Sequence, residues 1–250
     1  MLTKGVGNIP IILGGAGCVL PTIAGLQLWL KADAGTYQDA AMTVPAVLDT
    51  DPIGGWQDQS GNGNHVTQVM AGKKPLLKLN QQNTLPAVRF DGVDDYINVT
   101  MTTGTAVTVF QVIAQRRPFP ISAVQVDAGI GTDLYVSDGF VTYTCNGYGI
   151  TSNTFASSES VLGGVSPFVN DSAAIVAPPA NIAVNAFCLT TFVLAGINAT
   201  AAGIVLGRYN IYASYYGQND IAEALIYASA LSDANRILVR DYLNCRYAIW

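Results

Sequence analysis

Residues 85–99, LPAVRFDGVDDYINV, constrain the fold of this 250-residue chain more than any other stretch. Val88 and Phe90 alternate with Ala87 and Arg89, the period of a half-buried strand. After Asp91-Gly92, Ile97 and Val99 alternate with Tyr96 and Asn98 in the same way. Two short strands therefore flank an Asp-Gly turn. Asp91, Asp94 and Asp95 place three carboxylates within five residues, and like charges repel unless something satisfies them. Read as neighbours on a strand, Asp94 and Asp95 point to opposite faces and form no convergent pair by themselves.

The rest of the chain continues the β pattern. Strands are predicted at 26–30, 107–114, 124–130, 186–197, 203–212 and 221–227. Residues 134–137 and 140–144, joined by Asp138-Gly139, form the strongest hairpin signal. Residues 145–185, rich in Ser, Asn, Gly, Ala and Pro, read as long loops with one or two strands. The ending differs in kind. Ser232 is a good helix N-cap, Asp233 stands in the first turn and Arg246 in the last. Ile237, Val239, Tyr242, Leu243 and Tyr247 approximate an amphipathic stripe between them. The expectation is an all-β fold closed by one short C-terminal helix.

Charge narrows the function classes. Only 12% of residues are charged, where about 25% is usual, and net charge is −5. A nucleic-acid partner is not expected on that balance. No Lys or Arg occurs between Arg117 and Arg208, which is expected of surface covered by neighbours in an assembly. No apolar run reaches the ~18 residues of a membrane helix, so membrane insertion is not expected.

Residues 1–25 read as an extended N-terminal arm, with Gly5, Gly7, Gly14, Gly15 and Gly17 among apolar residues and Pro10 and Pro21 breaking any helix. Lys4 and the apolar run 9–20 mimic a secretory leader. Pro10 and a Gly-Gly pair interrupt that run and no A-x-A site follows, so an arm is expected instead. The arm either adds a strand to a neighbouring subunit or lies across its own domain. Cys18, Cys145, Cys188 and Cys245 show no metal-binding spacing. The favoured reading is four small buried hydrophobes, with a disulfide pair left open.

Two loops carry the candidate chemistry. In WQDQSGNGNHVTQ, Trp56 reads as an anchor, Gly61 and Gly63 as positive-φ positions, and Asp58, Ser60, Asn62 and Asn64 as backbone-bonding turn residues. Asp58-x-Ser60-x-Asn62-Gly63 copies the start of a calcium loop, but Val69 stands where an EF-hand needs its carboxylate. One reading is a smaller calcium site shared by Asp58, Asn62, Asp91, Asp94 and Asp95; the other is a hydrogen-bonded turn. No cofactor is expected to be required, calcium being the one candidate. The single histidine, His65, reads as a turn or packing residue rather than a catalytic base. Phosphate-loop spacing is absent, and nucleotide binding is not expected.

WQDQSGNGNHVTQ, LPAVRFDGVDDYI and NDIAEALIYASALSDANRILVRDYLNCRY, in that order, resemble the signatures of laminin-G-like domains of bacterial and phage type. The resemblance covers residues 26–250 and implies a concanavalin A-like jelly-roll β-sandwich behind the arm at 1–25. It also implies roles among glycan-binding modules, adhesion domains and virion components. Laminarinase-type relatives use a Glu-x-Asp-x-x-Glu strand, whose carboxylates attack the sugar and protonate the leaving oxygen. This chain has only Glu159 and Glu223, neither in that pattern, so no catalytic residue is expected.

The functional expectation is a non-enzymatic phage virion structural protein, a capsid decoration or tail-associated subunit, assembled in the host cytoplasm with reduced cysteines. It would form a homo-oligomer, a trimer by common virion symmetry, and contact other virion proteins. Weak binding of host cell-surface glycans would use Tyr148, Tyr215 and Tyr216, aromatics in Gly-flanked loops. The alternative is a carbohydrate-binding or adhesion module of a bacterial surface protein, at the cell surface or secreted.

Overall fold

The computed structural model describes residues 17–101, 104–116, 132–137, 142–146, 168–169, 172–173, 185–199, 202–208 and 216–250. The strands in chain order are β1 (Leu26–Lys31), β2 (Thr36–Tyr37), β3 (Gly55–Trp56), β4 (Val66–Thr67), β5 (Leu76–Gln82), β6 (Leu85–Asp91), β7 (Ile97–Met101) and β8 (Gly104–Gln115). They continue with β9 (Thr132–Ser137), β10 (Thr142–Asn146), β11 (Phe168–Val169), β12 (Ser172–Ala173), β13 (Phe187–Ala199), β14 (Ala202–Leu206) and β15 (Gln218–Tyr227). One helix, α1 (Asp233–Tyr247), follows.

The fold is an all-β sandwich of two antiparallel sheets plus this helix. The first sheet runs β12-β11-β13-β8-β15-β6-β5, with β1 also paired to β15. The second runs β10-β9-β14-β7-β4-β3-β2. Between them lie Leu28, Leu30, Trp56, Val88, Phe90, Ile97, Val109, Ile113, Ile204 and Ile226, all fully buried. The outer face of the first sheet carries α1 through a second cluster, which includes Ala87, Phe110, Leu225, Tyr227, Val239, Tyr242, Leu243 and Tyr247. β1 serves both layers, as its alternation predicts: Leu28 and Leu30 face the inter-sheet core while Trp29 packs on the helix side.

The Asp91-Gly92 turn does not close a hairpin. β6 lies in the first sheet and β7 in the second, so the turn hands the chain from one sheet to the other. Residues 92–96 are irregular rather than strand, which overturns the expectation that Asp94 and Asp95 point to opposite faces. The hairpin expected around Asp138-Gly139 pairs β9 with β10, but Ser137 opposes Thr142, so four residues rather than two lie between the paired positions. The strand expected at 124–130 lies outside the described residues.

The end of the chain follows its sequence signals. Ser232 Oγ accepts from Asn235 N at 3.4 Å, and Ala248 closes the helix in the left-handed region with φ 47°. Val239, Tyr242, Leu243 and Tyr247 are buried as expected, but Ile237 is 41% exposed. The buried stripe runs through Arg246 instead, because Arg246 has an ion partner beneath the helix.

The cysteines require a correction. Cys18 and Cys245 form a disulfide across 227 residues, with Cα atoms 5.8 Å apart, and neither is buried. Only Cys188 keeps the expected buried character; the side chain of Cys145 lies outside the described residues. The described part of the arm, residues 17–25, lies across its own domain, with Cys18, Leu20 and Ile23 packed on the α1-side cluster.

Candidate functional site

The irregular turn at 91–96 is shaped by its own side chains. Asp91 Oδ1 accepts from the amides of Val93 at 2.8 Å, Asp94 at 3.2 Å and Asp95 at 3.3 Å. Asp95 Oδ2 accepts from Asp91 N at 3.1 Å. Gly92 is required here: its φ is 78° and a Cβ would stand 2.7 Å from Gln218 Cβ. The result reverses the sequence expectation for Asp94 and Asp95, since carboxylate oxygens of Asp91, Asp94 and Asp95 all lie within 4.8 Å of one another. Asp95 is only 6% exposed. Burial, then the charge of Asp91, pushes its carboxyl up to about 7.

Cations and rings stand beside this turn. Tyr96 N donates to Lys73 O at 3.2 Å, and Tyr96 O accepts from Gln68 Nε2 at 2.8 Å. The Arg208 guanidinium carbon lies 3.8 Å from the centroid of the Tyr96 ring, and Lys73 Nζ lies 5.8 Å from it. Arg208 and Tyr216 oppose each other in an isolated antiparallel bridge, and Gly217 N donates to Gly207 O at 2.8 Å. Gln218 pairs with Asp91, so Tyr216 sits two residues along the chain from the acidic turn's partner. Gly207 allows this closeness: its φ is 82° and a Cβ would meet the Phe90 ring at 2.1 Å. The rim thus combines three carboxylates, two cations and two tyrosines, all but Asp95 at least partly exposed.

Such a rim offers groups suited to binding. Aromatic faces and a guanidinium suit sugar rings and hydroxyls, and clustered carboxylates are the hard oxygen donors that calcium takes. Asp91 spends one oxygen on three amides of its own turn.

The other expected site residues distribute differently. Asp58 accepts from Trp29 N, Ser60 N, Ser60 Oγ and Asn64 N at 2.7–3.0 Å, so its carboxylate holds the turn to β1. Asn62 Nδ2 donates to Leu26 O at 2.8 Å. Asp58 is not among the three grouped carboxylates. His65 Nδ1 accepts from Asp58 N at 3.1 Å, a turn role as expected. Tyr148 and Tyr215 lie outside the described residues. Sequence reasoning missed Lys73, Arg208 and Tyr96 as rim members. They come from three separate segments, and no spacing marks them.

Two buried ionic networks lie elsewhere. Asp220, fully buried, receives Arg89 through Nε at 2.7 Å and Nη2 at 2.8 Å, and Arg116 as a second partner. Glu223, also fully buried, accepts from Trp29 Nε1 at 2.6 Å, Tyr242 Oη at 2.7 Å, Tyr247 Oη at 2.9 Å and Arg246 Nε at 3.0 Å. Burial raises the Glu223 carboxyl, and Arg246 pulls it back down. These four donors tie α1 and β1 to β15.

No protein-family model matches the chain, and neither does any curated protein. Among solved structures, an arabinofuranosidase complexed with arabinofuranosyl-α-1,2-xylobiose is similar at 14% identity and TM-score 0.41, over 78% of this chain and 51% of that one. A sialidase from Trypanosoma rangeli is similar at 12% identity and TM-score 0.41, over 98% of this chain and 36% of that one. Likeness at that level carries no argument about activity. Among the described residues, no helix is long and apolar enough to cross a membrane.

Proposed function

We propose that this chain is a non-catalytic carbohydrate-contacting module displayed on an outer surface, with the rim of Tyr96, Arg208, Tyr216, Asp91 and Asp94 as its contact site. The observation that carries this reading is the convergence of an arginine-stacked tyrosine, a second tyrosine and a carboxylate cluster on one rim. The Cys18–Cys245 disulfide supports an oxidising location, outside the cytoplasm where reduced cysteines were expected. The test is a glycan array probed with full-length protein in calcium and in EDTA. Tyr216→Ala and Arg208→Ala should each lower binding at least tenfold while leaving thermal stability near that of the parent. Absence of binding in both buffers overturns the reading.

A second reading, a virion structural subunit, is favoured by one separate observation. Val44, Val47, Leu48, Val69, Met70 and Val93 are 48–77% exposed, many apolar side chains for a chain so poor in charge. This reading places the protein in a homo-oligomer, a trimer by virion symmetry, against other virion proteins. Light-scattering mass of the full-length protein tests its homo-oligomer: assembly that Val47→Asp with Leu48→Asp abolishes supports it, and a monomer at all concentrations removes it.

A further inference from the structure

We propose that the Cys18–Cys245 disulfide is a redox latch on residues 18–24, closed in oxidising surroundings and opened by a dithiol without loss of the sandwich. The first observation is how little else holds this segment. Apart from the turn at Ala24–Gly25, residues 18–24 make no main-chain hydrogen bond among the described residues, and the first long-range one runs from Ala228 N to Gly25 O at 2.7 Å. Cys18, Leu20 and Ile23 are partly buried on the α1-side cluster, while Val19 is 83% exposed and Thr22 and Ala24 are exposed too. Among the described residues, four partly buried side chains, Cys18, Leu20, Pro21 and Ile23, and one covalent bond hold the segment.

The second observation is access. Cys245 is exposed on the outer side of α1, so a solution thiolate reaches its sulfur. That thiolate attacks the Cys245 sulfur and displaces the Cys18 thiolate. The dithiol's second sulfur then displaces Cys245 and closes the reductant's own disulfide. Two electrons and two protons pass to Cys18 and Cys245, and both end as thiols.

The third observation is that the helix keeps its own anchors. Arg246, Tyr242 and Tyr247 bond Glu223 independently of the disulfide. Gln82 Nε2 donates to Tyr247 O and Asn83 Nδ2 to Arg246 O, each at 2.6 Å. The inter-sheet core contains no residue of the segment. Opening the latch therefore bares Leu20, Ile23 and the apolar side chains beneath them, and leaves both sheets paired.

The experiment is ¹⁵N relaxation on the full-length protein, oxidised and in millimolar dithiothreitol. The expected result is that heteronuclear NOE values of 18–24 fall towards those of a free tail, while resonances of Leu28, Val88 and Ile97 hold their positions. The Cys18→Ser, Cys245→Ser double variant should reproduce this without reductant, which separates the latch from any other thiol. Three results overturn the proposal: a segment equally rigid when reduced, loss of dispersion across the whole domain, or a disulfide that dithiothreitol leaves intact.

Discussion

Glu223 on β15 and Arg246 on α1 form an ion pair, Oε2 to Nε 3.0 Å, with their side chains 0% and 7% exposed. The pair exists because β15 carries a bulge. Ile221 opposes Ile113 and Glu223 opposes Val112 on β8, so the register shifts between them. Strict alternation from Ile221, which faces the inter-sheet core, would aim Glu223 into that core. The bulge instead puts both Ala222 and Glu223 on the helix side, the re-aiming that bulges produce.

Removing the acceptor at the centre of this network strands two donors and weakens the hold on two more. Glu223→Ala leaves Trp29 Nε1 and Tyr242 Oη without their acceptor, while Arg246 keeps Asp33 and Tyr247 keeps Ala222 O, and should cost about 2–5 kcal/mol. Urea unfolding measures this, and a change under about 1 kcal/mol would show that α1 docks by apolar contact alone.

The buried acid at the rim gives the domain a defined pH response. The Asp95 carboxyl is raised from 3.8 to about 7 on folding. Between pH 4 and 7 the folded state therefore keeps a proton that the unfolded chain has released. Stability conferred by that proton is full below about pH 4 and is lost as pH rises through 7, with a slope of up to about 1.4 kcal/mol per unit. Asp95→Asn should flatten that slope and make the variant more stable than the parent at pH 8. Equal slopes in parent and variant would assign the response to another group.

Calcium should act on the same carboxylates. Burial is the main cause that raises Asp95, and a cation within reach of Asp91, Asp94 and Asp95 offsets the charge repulsion that adds to it. At pH 7.5, calcium at about ten to a hundred times its Kd should raise stability by about 1.4–2.7 kcal/mol, several degrees in Tm. Asp91→Asn with Asp94→Asn should abolish the shift, whereas Asp58→Asn should not abolish it. A Tm unchanged by calcium leaves the rim as a purely organic contact surface.

Gly207 sets how closely the rim packs on the core. Gly207→Ala places a Cβ about 2.1 Å from the Phe90 ring at a φ of 82°. Overpacking and left-handed strain together should cost about 2–5 kcal/mol. Gly61→Ala, with open space at its Cβ although its φ is 89°, should cost only the backbone part, about 1–2 kcal/mol. Equal losses in the two variants would mean that Phe90 yields freely.

The strands and the helix were legible because their signals are local. Period-two alternation marked β1, β6 and β8, and Ser232, Asp233 and Arg246 marked α1, since each depends on residues a few positions apart. The turn at 58–64 was legible for the same reason: Asx bonds and positive-φ glycines act within a few residues.

What the sequence could not display depends on where distant segments meet. The Asp91-Gly92 turn looks alike whether its strands pair or part to two sheets. Only the parting lets Asp94 and Asp95 converge with Asp91. Lys73, Tyr96, Arg208 and Tyr216 become neighbours through long-range strand pairing that no spacing encodes. Cys18 and Cys245 are 227 residues apart along the chain and 5.8 Å apart in space, because the sandwich brings the arm over the final helix. Local alternation determined which residues form strands; the tertiary packing of the two sheets and the helix decided which of them share a site.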